Sequence, residues 1–313
     1  MMEQIFNYGF LVAFLTATVR MAVPILYAGL GELYLERAGI LNIGLEAVML
    51  NGAFFAFAAV HFTGSLFMGI LGGMLGGCMV SLIHALLSIR MAQNQSVSGI
   101  ALNILFLGVT SFLFKAVVRG KEMPQITTFH NIKIPLLGDL PVIGNALFNQ
   151  DLMVYVLYGL VIVSVLLLGR TFWGLALTAI GEHPRAADNM GIRVHGMQYL
   201  GAVINGCLGG IGGAYLTIVQ VGVFSENITS GRGYMALAAV ILGRHNPVGV
   251  FWAALLFGAA DALQVRLQAV GVPLPSQALT MLPYLITLAT LLLMMKRSSE
   301  PEALGKAYVR SRR

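Results

Sequence analysis

The feature that most constrains this chain is a series of apolar runs, each long enough to cross a lipid bilayer. About 20 predominantly apolar residues make a membrane-spanning helix. Runs of that kind lie near 8–30, 40–60, 66–89, 96–118, 151–169, 196–221, 247–267 and 277–295. A further apolar piece at 234–243 is too short to cross alone and is flanked by Gly231, Gly233 and Gly243. Backbone that breaks off at membrane depth is tolerated only where protein or a water-filled cavity surrounds it, so this piece reads as a half-helix or re-entrant element. Hydrocarbon leaves no partner for an unpaired backbone group, which predicts an all-α polytopic transmembrane helical bundle of about 8–10 membrane segments. Only 10% of the 313 residues are charged, where a soluble domain carries about a quarter. No linker divides the chain, so 1–313 is expected to be one membrane domain.

The distribution of Lys and Arg gives an expected orientation. The stretch 296–313, "KRSSEPEALGKAYVRSRR", is basic and follows the last apolar run, as a cytoplasmic tail would. Working backward, Arg244, Arg170, Arg185, Arg193, Arg90 and Arg37 fall on the tail's side. Lys115, Arg119, Lys121, Lys133, Arg232 and Arg266 fall opposite, as does the N-terminus. No Lys or Arg precedes Arg20, so the first run reads as a retained span rather than a cleaved signal. The 119–150 loop, with its prolines and scattered apolar residues, reads as an ordered extracytoplasmic lid or docking surface. The modest net charge of +6 forms no stripe interleaved with aromatics, and nucleic acid is not an expected partner.

Several chemistries have no carrier in the sequence. There is no G-x-x-x-x-G-K-[ST], so ATP-driven work would come from another polypeptide, which would also hold ATP and Mg. The glycine-rich "GGIGGAY" (209–215) and "GILGGMLGG" (69–77) lie inside apolar runs and read as close helix-packing or helix-breaking sites. The histidines are scattered without H-E-x-x-H spacing, and Cys78 and Cys207 sit apart in apolar runs. Neither a metal site nor a disulfide is expected. No nucleophile elbow supports an enzyme reading, so the chain is expected to have no catalytic residue or cofactor of its own.

Two stretches stand out. "GELYLERAGILNIGLE" (Gly31–Glu46) sets charge against an apolar run. Glu32, Glu36 and Arg37 read as a solvated turn, whereas Glu46 lies ~9 Å beyond Ile40 along a helix. If 40–46 is helical, Asn42 and Glu46 share a face at i, i+4, and Arg20 can reach toward the acid by snorkelling. Arg20, Asn42 and Glu46 are therefore expected to form an inner-gate polar cluster, structural in preference to solute-binding. In "GEHPRAADNMGI" (181–192), Pro184 suits the first turn of a helix. Glu182 lies near its positive end, and Gly191 ends it. Such a helix offers Arg185, Asp188 and Asn189 to water and Ala186, Ala187 and Met190 to an apolar groove.

With "GRGYMALAAVILGRHNPVG" (231–249), these motifs in this order resemble the permease subunits of ABC importers of the branched-chain amino acid, ribose and nucleoside class. The "ERAGILNIGLE" form and the chain length are most similar to the smaller of two dissimilar permeases in nucleoside and simple-sugar importers. The resemblance implies an ATPase with two nucleotide-binding domains, a second permease and an extracytoplasmic substrate-binding lipoprotein as partners. It implies a plasma-membrane location and alternating access. It also implies that 182–193 is the cytoplasmic coupling helix, with Glu182, Pro184, Arg185, Ala186, Ala187, Asp188 and Gly191 matching the family pattern. His183 stands where Asn is common in the family, and Ala47 where Gly is common.

Polar groups inside spans are costly and are the default candidates for a solute path. Here they are Asn103, Asn205, Gln220, Glu226, Asn227 and Gln264, and the amides among them could serve a nucleobase or ribose hydroxyls; the competing role for each is bonding to a neighbouring helix. An ion-coupled secondary transporter is the alternative class, but the spans hold few acids beyond Glu46 and Asp261 and no clear inverted repeat.

Overall fold

The long apolar runs fold mainly as helices, because a helix satisfies its own backbone inside hydrocarbon, although the last run, 277–295, divides into two short ones. The computed structural model describes residues 8–118, 125–135, 137–138, 140–141, 143–271, 275–294 and 300–309. In chain order, α1 spans Tyr8–Arg37, α2 Leu45–Thr63, α3 Leu66–Ala85 and α4 Gln95–Val118. After a short strand, β1 (Ile132–Lys133), come α5 (Ile143–Leu147) and β2 (Asn149–Gln150). Then follow α6 (Leu152–Arg170), α7 (Phe172–Glu182), α8 (Pro184–Asn189), α9 (Val194–Tyr215) and α10 (Arg232–Leu242). The described helices end with α11 (Pro247–Ala269), α12 (Ser276–Thr280) and α13 (Leu282–Met294). One π-helical turn prolongs α3 to Arg90 and another prolongs α9 to Val221. Among the described residues, 7 helices are long and apolar enough to cross a membrane, which makes the chain an all-α, multi-pass bundle.

Helix α1 forms the centre and packs against α9, α10 and α11, while α2 lies against α3 and α9. Lipid tails are as apolar as Leu, so close contact rather than water exclusion holds such helices together. The glycine-rich runs supply it: a Cβ on Gly210 would overlap the Gly73 carbonyl, and one on Gly77 would overlap the Gly206 carbonyl. Tyr27, Leu30, Leu33, Leu45, Tyr215 and Phe257 fill the core around this crossing. The buried tyrosines also find polar partners. The Tyr27 hydroxyl donates to the Met153 carbonyl at 2.7 Å and that of Tyr215 to Asp151 at 2.9 Å. Asp151 in turn caps α6, accepting the Met153 and Val154 N–H groups.

Residues 119–124 of the 119–150 loop, including Arg119 and Lys121, lie outside the described residues. Its described part docks on the bundle. Strand β1 pairs antiparallel with β2, the Ile126 N–H meets the Gly222 carbonyl at 2.9 Å, and Tyr155 donates to the Ile132 carbonyl at 2.9 Å. Of the tail, 296–299 and 310–313 fall outside the description, and 300–309 returns to the bundle at the α8 end.

The structure departs from expectation at several residues around these helix ends. Glu32 and Glu36 are not in a solvated turn: α1 continues through Arg37, and both acids are fully buried. Residues 40–44 are not helical, so Asn42 and Glu46 do not share a helix face. Arg232 does not lie outside the short apolar piece expected at 234–243 but opens the helix there, α10. The chain turns back after α9 through 222–231, and α10 then runs toward the turn that holds Arg244 and His245. Eleven residues rise only about 16 Å, roughly half the hydrocarbon thickness.

Candidate functional site

The stretch Gly39–Gly44 is irregular backbone threaded through the bundle, and side chains from surrounding helices satisfy it. Gln95 accepts the Leu41 N–H at 2.8 Å, His84 Nε2 lies 3.0 Å from the Leu41 carbonyl, and Glu32 accepts the Asn42 N–H at 2.8 Å. Asn103 closes the far end, donating to the Ile43 carbonyl at 3.0 Å and accepting the Ala47 N–H at 2.9 Å. Without these partners a buried break in the helix ladder would leave donors and acceptors unpaired at about 1–3 kcal/mol each. Polar residues of the surrounding helices thus hold a break open in the apolar "GILNIG" stretch.

Glu46 sits in the first turn of α2 and faces the start of α10. Its carboxylate accepts the Gly231 N–H at 2.8 Å, the Gly233 N–H at 2.7 Å and the Thr229 hydroxyl at 2.5 Å. One acid therefore serves the positive ends of two helices, a placement that favours a buried carboxylate without any cation. Gly233 permits the approach, since a Cβ there would press on the Glu46 backbone at 2.5 Å. The expected cluster of Arg20, Asn42 and Glu46 is accordingly divided. Arg20, in the interior of α1, donates to Asn131 of the 119–150 loop at 2.6 Å. Asn42 donates to Asn205 at 3.0 Å, and Asn205 donates on to Glu32 at 2.7 Å. The acid's needs are met by N–H groups, which a search for an opposite charge overlooks.

The other end of α10 is tied to α1. Arg244 and His245 adopt positive φ in a tight turn, after which the Asn246 side chain accepts the Val248 N–H and Pro247 opens α11. Buried Glu36 and His245 meet at 2.6 Å. Arg37 donates twice to the His245 carbonyl, at 3.0 and 2.7 Å, and once to Thr178 of α7 at 3.2 Å. Arg37 is the joint between α7 and the half-helix. Sequence reading placed it in a solvated turn; an Arg immediately before "AGI", at the edge of a long apolar run, was the available signal for a bridging role.

Helix α8 projects from α7. The motif residues divide by exposure: Glu182, Arg185 and Ala186 are exposed, as is Met190 at 84%, Pro184 and Asp188 are half-buried, and Gly191 closes the segment at φ +86°. Ala187 does not face an outside groove as expected, but packs inward with Ile180 and Val194. The tail segment 300–309 lies across this unit. The Ala303 N–H donates to the Gly181 carbonyl at 2.9 Å, the Gly305 N–H to Gly39 at 3.2 Å, and the Tyr308 hydroxyl to Asp188 at 3.1 Å. A Cβ on Gly181 would overlap the Arg37 carbonyl, so the end of α7 also touches the end of α1 directly.

The expected path residues separate into several places. Asn205 is fully buried and accepts from Asn42 and Ser81. Asn103 serves the α2 turn and also donates to the Tyr234 hydroxyl at 2.8 Å. Gln220 donates to the Arg20 carbonyl at 2.8 Å, and exposed Glu226 pairs with Lys115 at 3.1 Å. Asn227 is exposed in the 222–231 segment, with φ +58° and a carbonyl that accepts from Ser230. Gln264 borders a cavity of about 310 Å³ between α10, α11 and α13, together with Arg232 and Asp261.

Comparison with known proteins places this architecture. Residues 14–295 match the family described as branched-chain amino acid transport system / permease component. The chain is 36% identical to the guanosine ABC transporter permease protein NupQ of Bacillus subtilis, over 95% of this chain and 96% of that one. It is 33% identical to the nucleoside ABC transporter permease protein NupC of Lactococcus lactis, over 93% and 95%. It is also 36% identical to TsgC13 of Haloferax volcanii, a putative glucose ABC transporter permease protein, over 86% and 82%. Among solved structures, a chain of PsaBC from Streptococcus pneumoniae in complex with Fab shares the fold, with a TM-score of 0.50 at 15% identity over 92% of each chain. The chain is therefore a member of the branched-chain amino acid transport system / permease component family.

Proposed function

We propose that this chain is one of two dissimilar permeases of an ATP-driven importer of the plasma membrane, and that its solute is a nucleoside. The observation that carries the reading is the end-to-end likeness to the guanosine permease NupQ and the nucleoside permease NupC. The partners are an ATPase with two nucleotide-binding domains, which holds ATP and Mg, a second permease, and a lipoprotein that captures solute outside. A simple sugar is the second reading, favoured by the likeness to TsgC13.

In this reading, α8 and the tail face the cytoplasm, and α8 is the coupling helix that seats in the ATPase. The exposure of Arg185, Ala186 and Met190 supports that seat. Displacement of α8 moves α7, and the Arg37 joint from Thr178 to the His245 carbonyl passes the movement to the half-helix α10. Helix α10 cannot move alone, because Glu46 holds its other end to α2. The half-helix and α2 shift as one body, opening the path to one side at a time, and the solute is not chemically changed.

The test is uptake by the complete four-component complex in proteoliposomes. ATP-dependent nucleoside accumulation that persists after ion gradients are collapsed is expected. Accumulation driven by an ion gradient without the ATPase would replace this reading with secondary transport. Uptake of sugars alone would favour the second reading.

A further inference from the structure

We propose that the cavity between the start of α10, the middle of α11 and the start of α13 is a contact site for an uncharged solute of nucleoside size. The proposal rests on the nucleoside reading above and adds to it a place and a set of contacts. The cavity measures about 310 Å³ and is lined by Ser230, Arg232, Asp261, Gln264 and Tyr284 among others, at the lower end of the volumes that ligand pockets occupy.

What marks this cavity is unspent polar capacity at membrane depth. Arg232 stands in the first turn of α10, where the helix dipole disfavours a cation, so α10 gains nothing electrostatically from it there. Its Nη1 only grazes the Ile228 and Thr229 carbonyls at 3.4 Å, and its buried Nε has no hydrogen-bond partner. Asp261 is 8% exposed, yet its carboxylate lies 3.9 Å from the Arg232 guanidinium, beyond hydrogen-bond reach. It accepts no hydrogen bond from the described residues. Gln264, one turn further along α11, brings an amide donor and acceptor to the same wall. Buried groups in this state need a partner that comes and goes or a fixed water.

The chemistry selects the class of solute. Arg232 and Asp261 neutralise each other at short range, so an ionic solute would meet repulsion from one of them. A neutral molecule with hydroxyls and ring nitrogens can accept from Arg232, donate to Asp261 and do both with Gln264. Tyr284 is half exposed, and its hydroxyl is tied to the Ser230 carbonyl at 3.0 Å. That bond orients an aromatic ring at the mouth, which suits a flat heterocycle.

The experiment uses the assembled complex with guanosine, cytidine and ribose as probes. Gln264→Leu and Asp261→Asn are expected to change the guanosine-to-cytidine uptake ratio by about tenfold, the effect of one lost polar contact, while capture by the separate lipoprotein stays the same. In a chain with Cys78 and Cys207 replaced by Ala, Gln264→Cys is expected to react with a water-soluble thiol reagent and to be protected by nucleoside. An unchanged ratio with unprotected labelling, in a complex that transports nucleosides, would overturn the site and leave the nucleoside reading intact. A wild-type complex that transports no nucleoside would overturn the nucleoside reading itself.

Discussion

Glu46 carries more of this structure than any ordinary ion pair would. Three donors from the α10 end converge on it, and removing the acceptor leaves them buried and unpaired at about 1–3 kcal/mol each. Glu46→Ala should lower the thermal unfolding midpoint of the purified protein sharply. Glu46→Gln keeps one acceptor oxygen, enough for Thr229 and Gly231, but turns an amide NH2 toward the Gly233 N–H and loses the charge at the helix ends, which is worth about 0.3–2 kcal/mol; it should fall in between. Equal midpoints for wild type and Glu46→Ala would contradict the capping role. Arg37 offers a second case. Lys cannot reproduce a fork that reaches the His245 carbonyl and Thr178 together, so Arg37→Lys should assemble with its partners yet lose about tenfold or more in uptake. Full uptake would show that α7 and α10 communicate by another route.

At the scale of elements, the helices were legible because hydrocarbon admits so few alternatives, and the half-helix was legible because 234–243 is too short and bracketed by glycines. The glycine-rich runs are packing sites, one of the two roles expected of them, and the structure shows that they pack against each other. Gly210→Ala should break the α3 to α9 crossing, since the added methyl collides with the fixed Gly73 backbone rather than with a movable side chain; a loss of about 1–3 kcal/mol or more would appear as aggregation on size-exclusion chromatography. The break at 39–44 was not legible. Helical periodicity continues through "ILNIGLE", and what decides against it is tertiary: Gln95, Glu32, His84 and Asn103 arrive from other helices to bond the opened backbone. For the same reason Glu32 and Glu36 looked solvated beside Arg37, although their partners, Asn205 and His245, lie far along the chain. Helix α7 was missed because it is short and sits between two stretches already read as spans.

Across the whole molecule, the exposed face of α8, the Arg37 joint and the half-helix form one connected line from the surface into the bundle. The tail belongs to that line. Its backbone ties Gly181 to Gly39, and Tyr308 holds Asp188. Deleting 300–313 removes these bonds, each worth about 1 kcal/mol, and should speed tryptic cleavage at Arg185 and Arg193 by about tenfold in the purified protein; an unchanged cleavage rate would mean that α8 is held by the Ala187 cluster alone. The central claim is that α8 receives the work of a separate ATPase. It is tested most directly by measuring solute-stimulated ATP hydrolysis in the full complex after replacing the exposed pair Arg185 and Met190 with Glu. The predicted result is a chain that still inserts and assembles with its partner permease while the stimulation disappears; stimulation at the wild-type level would contradict it.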